Sequence, residues 1–304
     1  MIPTRLDVEQ ARTTIGGRLA RTPLLSSRTI GARLKCELFQ RTGSFKPRGA
    51  LNKIANLTAD ERARGVITIS AGNHAQGVAW AAREEHVDAL VVMWQGASDQ
   101  KMEATRGYGA TIDLQSANPI EAFERLHALQ AETGRIFVDP HSDPLVIAGH
   151  GTVGLEIEED APDVDAVVVG VGGGGLVSGI TAALPGRRVI AVEPELAPAL
   201  HAGIAAGHRV AAEARSIADG CNSPFAGELA IEMTRDLERI LVTEEEIEHA
   251  FRVLYERAKL AVEPAGAVAA AAWLAGKIEA RNPVLIVSGG NVATQTAAAI
   301  LARR

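Results

Sequence analysis

A lysine, Lys46, lies in the string Thr42-Gly43-Ser44-Phe45-Lys46-Pro47-Arg48-Gly49-Ala50, boxed between a glycine and a proline just ahead of a helical stretch. Lysine is normally a solvated residue. Stripped of water, its ammonium loses affinity for the proton, and the free amine can form a Schiff base with an aldehyde. A second feature complements it. The run Gly172-Gly173-Gly174-Gly175 follows an apolar stretch and opens a helix near Leu176. Backbone without Cβ atoms can approach a ligand closely, and amides at a helix start favour an anion, so the run reads as a phosphate cup. A plain flexible turn would not require four glycines, each of which carries a conformational entropy cost. Gly170, Gly172 and Gly175 also satisfy the dinucleotide spacing, but no acidic residue ends a strand about 20 residues on, and Glu193 is followed by proline. An amine and a phosphate cup together point to a cofactor bearing both an aldehyde and a phosphate, which is pyridoxal 5'-phosphate.

The elements that must position these groups are legible as apolar, β-branched runs at 66–70, 89–93, 110–114, 166–171, 188–192 and 284–288. Each reads as a strand buried on both faces. Helical spacing fills the intervals at 75–85, 119–133, 176–184, 244–259 and 266–275, with Thr243 as an N-cap ahead of three glutamates. The alternation predicts parallel βαβ units. In such sheets ligands lie beyond the carboxyl ends of the strands, where Ser70-Ala71-Gly72-Asn73-His74, the glycine run and Ser288-Gly289-Gly290-Asn291 fall. We expect an α/β fold of two domains with mainly parallel sheets flanked by helices: a large one formed by 1–60 and 142–304, and a small inserted one, 61–141.

Composition narrows the class. With 304 residues, 47% hydrophobic and 22% charged, the chain can bury its own core. Its net charge of -6 argues against nucleic-acid or membrane-surface binding. Cys36 and Cys221 form no C-x-x-C pair, so neither a disulfide scaffold nor structural zinc is expected, and both read as buried apolar side chains. The charged first 19 residues exclude a signal-peptide core, which gives a cytoplasmic expectation.

Five stretches in order resemble the serine/threonine dehydratase family, pyridoxal-phosphate enzymes of the tryptophan synthase β fold (fold type II). They are 34–46, the Ser70 loop, the glycine run, Val262-Glu263-Pro264-Ala265-Gly266-Ala267 and Ser288-Gly289-Gly290-Asn291. The resemblance implies that Lys46 holds the cofactor covalently, Phe45 packs beside its ring, Asn73 meets the ring hydroxyl, Gly172 to Gly175 with Leu176 hold the phosphate, and Ser288 faces the pyridine nitrogen. It also implies that Ser70, Ala71, Gly72, Asn73 and His74 take the substrate carboxylate, and that Asp219 lies near the substrate hydroxyl. Lys46, Ser70 and Asp219 are thus the catalytic candidates. The activity implied is dehydration of L-threonine or L-serine to a 2-oxo acid and ammonia, by an expected homodimer that takes a small β-hydroxy amino acid and has no nucleic-acid or membrane partner. Because the chain stops at Arg304, soon after the Ser288 loop, a regulatory domain is not expected, which favours the catabolic type.

Departures from the family pattern shape the alternatives. Ala71 stands where serine racemases carry a second serine, which makes racemisation a minor reading. Glu193 matches one ligand of a family cation site, but Ala199 replaces another carboxylate, so no metal is expected. His141 replaces an aromatic residue or asparagine near the substrate and suggests another β-hydroxy amino acid, 3-hydroxyaspartate or phenylserine. The segment 23–34 looks shortened, with loss of a turn or edge strand. A cysteine synthase-like β-replacement enzyme and a non-catalytic nucleotide-binding module are the remaining alternatives. Glu263 is read either as a neighbour of the cofactor ring or as a helix cap, and the other histidines, His150 included, as surface or core residues.

Overall fold

The computed structural model describes residues 1–303. Ten strands form two sheets: β1 (Leu24–Ser27), β2 (Ala32–Cys36), β3 (Val66–Ile69), β4 (Ala89–Trp94), β5 (Thr111–Ser116), β6 (Ile136–Phe137), β7 (Ala166–Gly170), β8 (Val189–Pro194), β9 (Glu238–Val242) and β10 (Pro283–Val287). The larger sheet runs β1-β2-β10-β7-β8-β9 and the smaller β5-β4-β3-β6. All pairings are parallel except β1 with β2. Strands β7, β8 and β10 are buried almost throughout, as their apolar runs require when helices cover both faces.

The expected shortening before the lysine loop does not remove an edge strand. β1 and β2 form a four-pair antiparallel hairpin, Leu24 opposite Lys35 through Ser27 opposite Ala32, with Gly31 at φ 72° in the turn. The sequence pattern does not mark this hairpin: Leu24–Ser27 lies on the sheet edge, where burial no longer imposes an apolar pattern, and Arg33 and Lys35 interrupt β2. β6 escapes notice because it has only two residues. β9 carries an exposed Glu238 at the sheet edge.

Topology places the chemistry. β2, β10 and β7 are adjacent and parallel, so the lysine loop, the Ser288 loop and the glycine run leave the sheet on one side. β3 and β6 deliver Ser70 to Asn73 and Asp139 to His141 from the smaller sheet. The smaller sheet's core also takes in Ala50, Leu51 and Ile54 of the lysine helix (Lys46–Ala55) and Val146 of the helix Pro144–Asp160.

Behind the lysine helix lies a buried charge cluster. Arg48 donates from Nε to Glu37 Oε2 at 2.7 Å and from Nη1 to Glu156 Oε1 at 2.7 Å. Lys35 Nζ donates to Glu156 Oε2 at 2.5 Å and to Thr22 O at 2.7 Å. Arg48, Lys35 and Glu37 are essentially inaccessible to water. Removing one member strands the others in a low dielectric. Arg48→Met is therefore expected to lower unfolding free energy by about 3–5 kcal/mol, measured by urea denaturation; an unchanged midpoint would show that the cluster does not hold the helix.

Candidate active site

Lys46 opens its helix and is half-buried. Its Nζ donates to Pro140 O at 3.3 Å and lies 4.9 Å from the centre of the Phe45 ring. Burial lowers the ammonium to about 8, against the opposing pull of Asp139, Cys221 and Glu263. About a tenth of the amine is thus uncharged at pH 7, far more than for a solvated lysine. The lysine loop is laced to the Ser288 loop: Ser44 bridges Gly289, Phe45 N donates to Ser288 O at 3.1 Å, and Gly290 N donates to Gly43 O at 2.9 Å.

The glycine run meets the lysine at one carbonyl. A Cβ built on Gly175 would lie 3.3 Å from Pro140 O, the acceptor of the Lys46 amine. Gly174 has φ 94°, in the left-handed region, and starts the helix Gly175–Ala183 as its N-cap. A Cβ on Gly173 would overlap the His141 ring, and one on Gly172 would press on the Cys221 backbone at 3.0 Å. The run is therefore a cradle into which no side chain fits. Leu176, one residue on, is buried beneath it.

Asn73 starts the helix Asn73–Glu84, and its amide is oriented at both ends. Its Nδ2 donates to Glu263 Oε1 at 2.7 Å, while its Oδ1 accepts from Asn291 Nδ2 at 2.8 Å. Glu263 occupies the N-cap position of the helix Pro264–Leu274 but makes no side-chain cap bond; its carboxylate turns to Asn73 instead. Burial raises this carboxyl to about 7, with Asp219 adding to the effect. Ser70, Ala71, Gly72 and Asn73 are half-buried on the same side. Ser70 Oγ accepts from Gly72 N at 3.1 Å.

Other expected site residues are placed differently. The His74 ring is enclosed, with Nε2 3.0 Å from Val138 O, so only its backbone remains for a ligand. Burial, reinforced by Lys46, pushes it down to about 3, so it is neutral. Asp219 is exposed and paired with Lys101 of the helix Asp99–Gly107, at the rim. Ser288 Oγ is buried, 3.5 Å from Ala265 O. His141 Nδ1 lies 3.3 Å from Asp139 Oδ1 and its Nε2 3.5 Å from Ser223 Oγ. Burial alone would raise Asp139, but His141 and the amides of His141 and Ser142 hold it well below the usual carboxylate range. Cys221 and Cys36 are buried, and desolvation raises both thiols. Glu193, weighed as a cation ligand, accepts from Leu200 N at 2.7 Å and His201 N at 2.9 Å, capping the helix Ala199–Ala206.

Sequence reasoning did not find the Asn73–Glu263 bond, 190 residues apart, or the Asn291 contact that completes it. The only signal was the presence of both acceptor and donor in glycine-flanked motifs.

These features define a site for a phosphorylated aldehyde: an amine of lowered proton affinity and a side-chain-free cup beside it. The family model described as pyridoxal-phosphate dependent enzyme matches residues 16–290. The chain is 44% identical to the catabolic L-threonine dehydratase of Staphylococcus aureus, over 94% of this chain and 88% of that protein. Among solved structures it is similar to the threonine deaminase of T.th., with TM-score 0.90 and 39% identity over 96% of this chain and 99% of that one. Maize serine racemase gives TM-score 0.89 and 35% identity over 97% and 96%. The chain belongs to the pyridoxal-phosphate dependent enzymes of fold type II, in the serine/threonine dehydratase branch.

Two outcomes test the site. Because the amine is the reactive form, cofactor uptake by apoprotein should rise about tenfold per pH unit below the Lys46 value and level off above about 8, followed by absorbance; a rate still climbing at the ordinary lysine value would contradict the burial argument. Gly173→Ala should weaken pyridoxal-phosphate affinity at least about tenfold, through displacement of His141. Gly107→Ala, where nothing lies within 4 Å, should leave the affinity unchanged in the same titration.

Proposed function

We propose that this protein is a catabolic L-threonine ammonia-lyase that also accepts L-serine, eliminating water to give a 2-oxo acid and ammonia. The observation that carries the reading is the meeting of the Lys46 amine and the glycine cup at the Pro140 carbonyl. The catabolic threonine dehydratase name of a 44% identical relative supports the substrate.

When bound, pyridoxal phosphate supplies a conjugated ring that takes up the electron pair of the broken Cα–H bond. The chain does the rest. The amides of Gly172 to Gly175 and Leu176 would hold the phosphate, Phe45 would pack beside the ring, and Asn73, fixed by Glu263 and Asn291, would hold the ring hydroxyl. Ser70 and the backbone from Ala71 to His74 hold the substrate carboxylate. Lys46 Nζ would remove the Cα proton, and the β-hydroxyl would leave with one proton as water. Asp219, at the rim, orients the β-hydroxyl. Ser288 would meet the pyridine nitrogen with a hydroxyl, which would support its protonation less than a carboxylate and so favour prompt loss of the β-hydroxyl. Ala71 has no proton to deliver from the opposite face, which favours elimination over racemisation.

His141 suggests 3-hydroxyaspartate or phenylserine as alternatives; its nitrogens face Asp139 and Ser223, within the protein, which weighs against pairing with an acidic substrate side chain such as that of 3-hydroxyaspartate. We assign 61–141 to a small domain inserted into a large one of 1–60 and 142–304. We place the enzyme in the cytoplasm as a homodimer, a state that sedimentation would check. No helix among the described residues is long and apolar enough to cross a membrane.

Lys46→Ala should abolish 2-oxo acid release from L-threonine, and retained turnover would remove its role. In a panel with L-serine, D-serine, both 3-hydroxyaspartate diastereomers and phenylserine, L-threonine and L-serine should lead. A preference for 3-hydroxyaspartate would replace this substrate assignment.

A further inference from the structure

We infer that His150 is a positioning residue for the reaction: it serves as the N-terminal cap of the lysine helix, supplied from a different helix. The first amides of a helix lack intrahelical partners and need acceptors. Four other helices find them in their own preceding residues, Thr58, Asn118, Asp143 and Thr243. The residue before Lys46 is Phe45, whose side chain has no acceptor. Gly49 N instead donates to His150 Nδ1 at 3.1 Å. The same ring meets Phe45 edge-on, with centroids 4.7 Å apart at 70°. One imidazole thus fixes the residue before Lys46 and the amide three residues after it.

The local sequence is built for this approach. A Cβ on Gly49 would come within 2.5 Å of His150 Cε1 and 2.6 Å of Val146 O, so only glycine lets the ring reach the amide. With Nδ1 accepting, the ring proton sits on Nε2, which is enclosed and has no partner among the described residues. Burying an unpaired N–H is unfavourable, and an apolar side chain of similar volume would avoid it. The ring is therefore retained for its Nδ1 acceptor.

This role rests on Lys46 being the reactive amine. In the holoenzyme, His150→Asn places Oδ1 near the lost Nδ1, whereas His150→Leu removes the acceptor. His150→Leu should lower kcat for L-threonine about 10- to 100-fold with KM little changed, and His150→Asn should restore most of it. Undiminished kcat in His150→Leu, or an equal loss in both variants, would overturn the role. Nitrogen-15 histidine spectra of the unmutated protein give a readout independent of turnover and of the variants' folding. An Nε2–H tautomer with Nδ1 accepting is expected, and an Nδ1–H tautomer overturns the cap. Borohydride reduction and peptide mapping should place the cofactor on Lys46. A label on another lysine overturns both the Lys46 assignment and this role; a label on Lys46 with undiminished His150→Leu turnover overturns this role alone.

Discussion

The site depends on one buried ionic arrangement, the Arg48 guanidinium held between Glu37 and Glu156 with Lys35 completing the balance. Two cations and two anions leave the cluster without net charge. Coulomb attraction in such a place is offset by the cost of desolvation, so the net gain in stability is small. The geometric consequence is larger. Glu37 follows β2, Arg48 lies in the first turn of the lysine helix, and Glu156 belongs to the helix Pro144–Asp160. A shift of the lysine helix along its axis would leave charges unpaired in the interior, which is far less favourable than losing apolar contacts. Lys46 is two residues from Arg48, so its position is inherited from this cluster.

Glycine contacts carry that position to the glycine run. A Cβ on Gly149 would overlap Arg48 O, and one on Gly151 would come within 2.6 Å of Gly179 O. The helix Pro144–Asp160 therefore touches the lysine helix through Gly49 and Gly149, and the cup helix Gly175–Ala183 through Gly151 and Gly179, at backbone separation. Backbone seams of this kind leave no flexible side chain to absorb displacement. One helix thus acts as a rigid spacer between the Lys46 amine and the glycine run, and its two-sided burial is the cost of holding both neighbours.

How much of this was legible follows from the range of each interaction. The glycine run, the lysine turn and the Ser70 and Ser288 loops announce themselves because each needs its residue types within a few positions. Strands β3, β4, β7, β8 and β10 were legible because burial leaves a nearly continuous apolar run, whereas β5, read the same way, lies at a sheet edge and is mostly half-buried. β1, β2, β6 and β9 were not: β1 and β9 lie on sheet edges, Arg33 and Lys35 interrupt β2, and β6 has two residues. The Asn73–Glu263 bond and the Gly49–His150 cap join residues 190 and 101 apart, and no local spacing records them. His150 looked like one more helical histidine. Glu193 reads as a metal ligand by motif, yet the amides of Leu200 and His201 satisfy it.

The same burial acts with opposite sign on the two central groups. It lowers the Lys46 ammonium to about 8 and raises the Glu263 carboxyl to about 7, each toward its neutral form. His74 and His150 are held neutral as well. Asp139 is the exception, kept ionised by His141 and two backbone amides. At neutral pH the lysine is still mostly protonated and the glutamate partly ionised, so both remain titratable, while the glycine run brings no charged side chain of its own. A guanidinium placed at that run would depress the proton affinity of Lys46 further, whereas peptide dipoles at the start of the helix Gly175–Ala183 leave the amine within about one pH unit of neutrality.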